Sequence, residues 1–393
     1  MSVSDSAACA RCLRRAVLLE LLAGRIDVAR RRRRPIRDVL ALSDDDLLAA
    51  VGGDDAPELR RRMEEASLFD LLVTAADGQL EVVCRHGSDY PARLHDDRAA
   101  PAALFVRGGA GEDDGGRARL ARLVGDGLAP PPPAVAIVGT RRGSPEGLEV
   151  ARTLGRGLAA AGVTVVSGMA LGVDSAAHTG ALEVGGPTVA VLAGGADVPY
   201  PRSKARLYGA IIAAGGAVVS EMPPRFQAFK WSFPARNRII AALAPATIVV
   251  EAAERSGSLI TAELALELGR DVAAVPGSVV SWRSRGTNAL LRDGATLIRD
   301  ARDALDLVLG VEHAELAVRR AAGETVPPPA DAAPELLALL AAVEDGRDTI
   351  NMLAPDAAGA ATVRAGLMEL ELLGLVRRAP GGRILRTTRA VAS

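Results

Sequence analysis

From Ala134 to about residue 310, short runs of apolar, often β-branched residues alternate with segments of helical periodicity. These runs lack the polar alternation of half-exposed strands, as expected for strands covered by helices on both faces. They are Val135–Val138, Val163–Val166, Thr188–Leu192, Ala217–Val219, Thr247–Val250, Val272–Val275 and Thr296–Ile298, with helical patterns at about 145–161, 172–184, 203–214, 235–243, 258–268, 287–292 and 301–309. The alternation predicts an α/β domain at 134–310 with a doubly wound, mostly parallel, Rossmann-like sheet.

The flanking regions predict smaller units. Residues 1–108 show short amphipathic helical patterns, so we expect a small helical N-terminal domain. Residues 109–133 are rich in glycine, acids and proline, and residues 311–333 contain the proline run Pro327–Pro329, so both are predicted linkers. Residues 334–393 combine helical patterns with a predicted hairpin, which suggests a winged-helix-like domain. Its second helix carries Glu369 and Glu371 beside Arg364, so we expect it to contact protein or to regulate, rather than read duplex DNA.

Net charge, apolar stretches and the number of cysteines limit where the protein can be located and what it can bind. A net charge of −1 over 393 residues means that any nucleic-acid binding must rest on a local surface. The sequence has no apolar stretch long enough to span a bilayer, no signal-peptide pattern and too few cysteines for a disulfide scaffold. We therefore expect a cytoplasmic protein that has no membrane partner.

Five turns follow the predicted strands and offer glycine and small polar residues, of which the fourth is Pro276–Ser278 and the fifth is Gly286–Asn288. The carboxyl ends of parallel strands share one edge of a sheet, so these turns should converge on one crevice. In the first turn Ser144 suits the N-cap and Pro145 the first helical position, which would make an anion site. The glycine spacing of this turn does not fit a dinucleotide fingerprint, and the absence of a Gly-Lys-Ser/Thr sequence excludes a P-loop. The residues that we expect to approach phosphates are Gly139, Thr140, Arg141, Ser144, Ser167, Gly168, Gly257 and Ser258.

An aromatic and cationic segment lies between the fourth and fifth of these strands. Four of the ten aromatic residues of the chain fall within 226–233, together with Lys230, one of two lysines. Arg236 and Arg238 follow, and no acid occurs between Glu221 and Glu251. Rings that stack on bases and cations that meet phosphates are what a single nucleic-acid strand requires. The alternative is an aromatic cluster within a core, with arginines reaching water.

Taken together, the motifs resemble those of the DNA-processing protein A family (DprA, also called Smf). The matching stretches are AIVGTR at 136–141, SGMALGVDSAAH at 167–178, LAGGADVPYP at 192–201, FPARNRIIAAL at 233–243, VVEAAERSGSLITA at 249–262, AVPG at 274–277 and GTNALLRDGA at 286–295. The resemblance implies an extended Rossmann-like protein that binds single-stranded DNA, self-associates as a homodimer and loads the RecA recombinase in natural transformation, without catalysis.

The resemblance also assigns roles to individual residues. It implies that Arg141 holds a phosphate, that Ser167 and Gly168 form a second phosphate turn, and that Lys230 contacts a phosphate. Phe233 would stack on a base, and Arg236 and Arg238 would complete a basic lining. The sequence departs from the family at two positions, with Lys204 where an Asn is usual and Leu171 where an Arg is frequent.

Two other functions remain open from the sequence. One is a nucleotide phosphoribohydrolase-like enzyme on the same fold, for which Glu263 is the first acid after the third turn. The other is an adaptor that works through the C-terminal domain. Asp174 and His178 share a helix face and would make an acid/base pair, but a structural hydrogen bond is the favoured interpretation because no nucleophile accompanies them.

All three cysteines lie in two short motifs. Cys9 and Cys12 form a C-x-x-C pair, and Cys84 stands two residues before His86. Three thiolates and one imidazole are a common ligand set for structural zinc, although small buried thiols are the commoner reason for such cysteines. No other cofactor is predicted.

Overall fold

The computed structural model describes two compact units, residues 1–314 and 315–393. Within them, the described residues are 8–29, 35–108, 115–125, 131–311, 313–314, 328–329, 332–344, 347, 349–354, 357–379 and 383–386. Among these, no helix is both long and apolar enough to cross a membrane.

A nine-stranded sheet forms the centre of the first unit. Its strands are β1 (Leu80–Cys84), β2 (Ala103–Arg107), β3 (Ala134–Gly139), β4 (Thr164–Ser167), β5 (Thr188–Val191), β6 (Ala217–Ser220), β7 (Ala246–Val250), β8 (Asp271–Ala274) and β9 (Thr296–Leu297). They lie in the order β1-β2-β6-β5-β4-β3-β7-β8-β9. In this spatial order, every pair of neighbours from β6 through β5, β4, β3, β7 and β8 to β9 is parallel. The pairs β1–β2 and β2–β6 are antiparallel. The predicted mostly parallel, doubly wound sheet is confirmed.

The N-terminal segment is joined to this sheet rather than purely helical. It contains α1 (Ala10–Ala29), α2 (Ile36–Leu40), α3 (Asp44–Leu47), α4 (Ala56–Glu65) and α5 (Leu68–Asp77), followed by β1 and β2. These two strands, which were not predicted from the sequence, extend the sheet next to β6. The buried Arg37 of α2 also forms an ion pair with Asp97 at 2.8 Å.

Further helices cover both faces of the sheet. They are α6 (Gly116–Val124), α7 (Pro145–Ala160), α8 (Val173–Leu182), α9 (Ala205–Ala213), α10 (Ser232–Leu243), α11 (Gly257–Glu267), α12 (Arg285–Arg292) and α13 (Ala301–Leu309). Val135 and Ile137 of β3 pack in a core with α7, α8 and α13, and the alternate residues Ala136 and Val138 pack with α6, α10 and α11. Both faces of the strand are therefore buried, which explains the apolar runs in the sequence.

The region predicted as the first linker contains helix α6. Leu120 and Val124 of this helix are buried in the core beside the sheet, so the interpretation of 109–133 as a linker is wrong for Gly116–Val124. Glycine and arginine make up much of the helix sequence, so its apolar stripe is short and gives a weak helical signal. Residues 109–114 and 126–130 of this region lie outside the described residues.

The second unit contains three helices and a hairpin. They are α14 (Pro334–Glu344), α15 (Ile350–Leu353), α16 (Ala357–Leu372), β10 (Val376–Ala379) and β11 (Arg383–Arg386), and the two strands are antiparallel. Leu336, Leu340, Leu367 and Leu370 form its core with residues of the hairpin. The two predicted helices and the hairpin are present in the predicted order, and the short helix α15, which was not predicted, lies between the two helices. The winged-helix assignment stays a prediction. The hairpin tip and most of 311–333 lie outside the described residues.

Candidate nucleic-acid interface

The sheet has its topological switch point beside β3. The chain runs from β3 outward through β4, β5 and β6, and then returns to the other side of β3 with β7, β8 and β9. A crevice of about 260 Å³ opens at the carboxyl ends of β3 and β7, and a smaller cavity of about 70 Å³ adjoins it. Ligands of open α/β sheets bind at this position. Four residues line both cavities, namely Arg141, Ala170, Phe233 and Arg236.

Phe233 and two neighbours form an aromatic and cationic wall of the crevice. The guanidinium carbon of Arg141 lies 4.9 Å from the centroid of the Phe233 ring, within cation–π range. The ring of Tyr200 lies 5.4 Å from that of Phe233, and 46% of Tyr200 is exposed. Tyr200 was not among the residues predicted from the sequence. Its only signal was its place in the matched stretch 192–201.

Arg236 lines the same two cavities as Phe233 and is 6% exposed. Its Nη1 donates to the carbonyl of Val191 at 2.7 Å, and its Nε has no partner among the described residues. Burial lowers the pKa of Arg236 to about 10, although the nearby Asp174 carboxylate favours the charged form. The crevice thus contains a desolvated cation that an incoming anion would stabilise.

The backbone of the turn after β4 binds the carboxylate of Asp174, which lies near Arg236. One carboxylate oxygen of Asp174 accepts hydrogen bonds from the backbone N–H of Gly168 at 3.2 Å and of Ala170 at 3.4 Å. Burial raises the pKa of Asp174, and Arg236 and these N–H groups oppose that rise. A Cβ atom on Gly168 would overlap Nη1 of Arg236, so only glycine leaves room for the guanidinium here.

Helix α11 begins at the opposite side of the crevice. Ser256 is its N-cap, and the hydroxyl oxygens of Ser256 and Ser258 lie 2.8 Å apart. The side-chain amide of Asn237 on α10 donates to the carbonyl of Gly257 at 3.2 Å. The predicted third turn is therefore in the crevice, and Asn237 and Ser256 line it although neither was predicted from the sequence.

The structure brings seven of the twelve residues predicted to contact DNA into the lining. These are Gly139, Arg141, Gly168, Phe233, Arg236, Gly257 and Ser258. Thr140 is half-buried in the first turn, and Lys230 is exposed two residues before α10. Neither lines the crevice, but both lie next to segments that do.

Three of the predicted contacts have internal roles instead. The hydroxyl of Ser167 is buried and donates to the carbonyl of Ile137 at 2.6 Å. Arg238 is 1% exposed, and its Nη2 donates to both carboxylate oxygens of Glu221 at 2.6 Å. Ser144 accepts a hydrogen bond from the N–H of Gly147 as the N-cap of α7. Short polar side chains in glycine-rich turns look alike in sequence whether they cap a helix or face a ligand.

The helix N-terminus predicted as an anion site is taken by the protein itself. The Glu251 carboxylate accepts a hydrogen bond from the backbone N–H of Ser144 at 2.7 Å. Glu251 has a φ of +56°, a left-handed conformation that is uncommon for this residue type, and its carbonyl accepts from the N–H of Thr140 at 2.9 Å. An internal carboxylate therefore satisfies the start of α7, and the anion site remaining in the crevice is centred on Arg141 and Arg236.

The aromatic segment divides between core and crevice. Phe226 and Trp231 are buried in the core formed with α1, and Phe229 packs against it. The indole N–H of Trp231 donates to the carbonyl of Ala23 at 2.8 Å. The core interpretation is right for these three rings, and Phe233 is the member of the segment that lines the crevice.

Comparisons with known proteins identify the family. The family model described as DNA recombination-mediator protein A matches residues 81–309, which include the crevice and nearly all of the nine-stranded sheet. The chain belongs to this family.

Relatives and a solved structure agree with the assignment to the DNA recombination-mediator protein A family. Protein Smf of Escherichia coli is 39% identical over 295 residues, which cover 75% of this chain and 74% of Smf. Protein Smf of Synechocystis is 36% identical over 324 residues, covering 76% and 78% of the two chains. The X-ray structure of DNA processing protein A from Streptococcus pneumoniae aligns with a TM-score of 0.57 at 33% identity, covering 75% of this chain and 95% of that one.

His178 is a core residue and not a partner of Asp174. Its Nδ1 lies 2.7 Å from the hydroxyl of Thr188, which donates to the carbonyl of Val165. The hydroxyl must then accept from Nδ1–H, so Nδ1 carries the proton, and the buried Nε2 has no partner among the described residues. Burial, aided by Arg236, lowers the pKa of His178 to about 3. The predicted structural role agrees with this placement, although the partner is Thr188.

The predicted metal ligands lie together, although they come from two distant parts of the chain. The ligand atoms of Cys9, Cys12, Cys84 and His86 are all within 4.8 Å of each other. They lie where the start of α1 meets the end of β1, outside the lining of the crevice.

Proposed function

We propose that this chain binds single-stranded DNA in the crevice and acts in recombination as a non-catalytic mediator. The observation that carries the proposal is the wall in which the exposed Arg141 and the ring of Tyr200 contact Phe233, while the buried Arg236 lines the same cavities. Stacking of a base on such a wall contributes about 1–3 kcal/mol, and cations beside it neutralise the backbone. The family name, DNA recombination-mediator protein A, supports the same role.

The binding mode follows from which groups face the crevice. Arg141 and Arg236 are suited to phosphate oxygens, and Phe233 with Tyr200 is suited to base faces. Side chains that would read the edges of particular bases are few, so sequence preference should be weak. Stacking requires exposed bases, so single strands should bind better than duplex.

The enzymatic alternative has less support. Among the described residues that line the two cavities, Asp174 is the only carboxylate, and two backbone N–H groups and Arg236 surround it. Glu263, the acid considered for a phosphoribohydrolase, is exposed on α11 and does not line the crevice. A positioned acid or base near the bound sugar is what hydrolysis would need.

The deciding experiment is fluorescence anisotropy of a labelled oligo-dT across a salt series. Arg141→Ala and Lys230→Ala should each weaken binding on the order of tenfold, because each removes a charged phosphate contact. Each should also reduce the slope of log K against log salt by about 0.7. Arg61→Ala is the matched control, since Arg61 lies on α4 and pairs with Glu58 and Glu65.

Three outcomes would contradict the proposal or favour another function. No binding by the wild-type chain would refute the proposal, and release of free base from a nucleoside monophosphate would favour the enzyme. Equal binding by wild type, Arg141→Ala and Lys230→Ala would place the strand outside the crevice and favour an adaptor role.

RecA loading, homodimer formation and a role in natural transformation are further proposals that rest on the resemblance to the family. Loading is tested by the rate at which RecA assembles on an oligonucleotide already coated with single-strand-binding protein. The wild-type chain should accelerate assembly and Arg141→Ala should not. Sedimentation of the chain alone tests the dimer, and a single species of monomer mass over the working concentrations would contradict it.

A further inference from the structure

Four ligand-type side chains from two distant parts of the sequence meet at one edge of the sheet. Nδ1 of His86 lies 3.3 Å from Sγ of Cys9 and 3.3 Å from Sγ of Cys12. The backbone N–H of Cys9 donates to Sγ of Cys84 at 3.5 Å. With all four ligand atoms within 4.8 Å of one another, the cluster is compact enough for one ion to contact every member.

These distances match the size of a tetrahedral zinc site. Zinc binds sulfur at about 2.3 Å and nitrogen at about 2.0–2.1 Å, so ligand atoms of a tetrahedron lie about 3.5–3.8 Å apart. Small side-chain adjustments would bring the four atoms to that spacing. Three sulfurs and one imidazole in tetrahedral order are the ligand set of structural zinc, and four protein ligands leave no position open for chemistry.

Local structure, and not chance burial, positions the ligands. Cys9 and Cys12 lie one helical turn apart at the start of α1, where the N–H of Leu13 donates to the carbonyl of Cys9. Cys84 ends β1, and a turn in which Gly87 donates to its carbonyl at 2.8 Å returns His86 toward the helix. Buried thiols that were merely core residues would not require an exposed histidine among them.

We propose that Cys9, Cys12, Cys84 and His86 bind one structural Zn²⁺ that fastens the start of α1 to the edge of the central sheet. The three thiols lose their protons on binding, and His86 ligates through Nδ1.

The position of the cluster connects it to the crevice through helix α1. The later half of α1 packs against Trp231, whose indole donates to the carbonyl of Ala23. Trp231 stands two residues before Phe233 in the chain. The metal would thus hold the helix on which the segment carrying Phe233 rests.

The first test is the metal content of the full chain, purified in reducing buffer without chelator and then loaded with zinc. One zinc per chain is expected. His86→Cys should keep it, because four thiolates also bind zinc in a tetrahedron, whereas His86→Ala and Cys84→Ser should lose it. His313→Ala is the matched control, since His313 is exposed and distant in sequence from the cluster. A wild-type chain that takes up no zinc, or a His86→Ala, Cys84→Ser double variant that keeps it fully, would overturn the proposal.

A second measurement does not depend on a folded variant. Cobalt added to the metal-free wild type should give the visible absorption of a tetrahedral thiolate complex, and three free thiols should appear only after the metal is removed. A disulfide in the freshly purified chain, or cobalt absorption typical of an octahedral oxygen site, would contradict the proposal. These measurements do not involve DNA, so their results test the zinc site independently of the proposed DNA binding.

Discussion

At the scale of single residues, Phe233 and Trp231 are two positions apart, but their replacement should have opposite effects. Replacing Phe233 should affect DNA binding, whereas replacing Trp231 should affect thermal stability. Phe233→Ala should weaken oligo-dT binding about 5- to 150-fold, because it removes a stacking surface worth about 1–3 kcal/mol, and should leave the melting temperature nearly unchanged. Trp231→Phe should lower the melting temperature through the lost hydrogen bond to Ala23, and binding by the folded chain should persist. Anisotropy and thermal unfolding of both variants check this pair. Lost binding in Trp231→Phe together with a lowered melting temperature in Phe233→Ala would contradict the placement of Trp231 in the core and Phe233 in the crevice.

The lowered pKa of the buried His178 should make the stability of the folded chain depend on pH. Its folded pKa of about 3 lies below the ordinary value of 6.5, so between these values the unfolded chain binds more protons than the folded one. The free energy of unfolding should therefore fall as the pH falls from 6.5 towards 3, by on the order of a few kcal/mol from this residue. The raised pKa of Asp174 acts in the opposite direction, favouring the folded state as the pH falls.

Replacing His178 isolates its share of that dependence. His178→Leu should flatten the fall of melting temperature between about pH 6.5 and pH 4, even if its stability at neutral pH is lower. His313→Ala, which changes an exposed histidine, should retain the wild-type slope. An unchanged slope in His178→Leu would mean that this imidazole is charged or solvated in the folded chain.

At the scale of elements, the turn after β4 should control the position of the buried cation. A Cβ atom on Gly168 would overlap Nη1 of Arg236, so Gly168→Ala should displace the guanidinium and weaken oligo-dT binding on the order of tenfold. Gly209→Ala on α9 is the matched control, because its added Cβ would meet nothing within 4 Å. Anisotropy at fixed salt compares the two variants. Equal binding would mean that Arg236 does not touch the strand.

The elements differ in how far their sequence predicts them. Strands β3–β8 are recognisable because burial on both faces makes them apolar almost throughout. Strands β1 and β2 were missed because β2 pairs with β6, more than a hundred residues away, and their own pattern is short. The prediction of an anion site at the start of α7 was wrong for a similar reason, because Glu251, whose carboxylate accepts the hydrogen bond there, lies 107 residues from Ser144. Local patterns predict elements, while pairings across long separations decide which turns are open to a ligand.

At the scale of the whole molecule, single-strand binding should belong to the first unit alone. Every residue that lines the crevice lies before Ala314, within that unit. In the second unit Arg378 pairs with Glu371 at 3.0 Å, so one hairpin cation is already neutralised by an acid of α16.

A chain that ends at Ala314 should bind oligo-dT within about twofold of the full chain and with the same salt slope, because the same phosphates are contacted. Anisotropy of both chains on oligo-dT and on duplex of equal length tests this. A loss of about tenfold or more, or a duplex affinity that disappears with the second unit, would place DNA contacts there and contradict the expectation that α16, which carries Glu369 and Glu371, contacts protein.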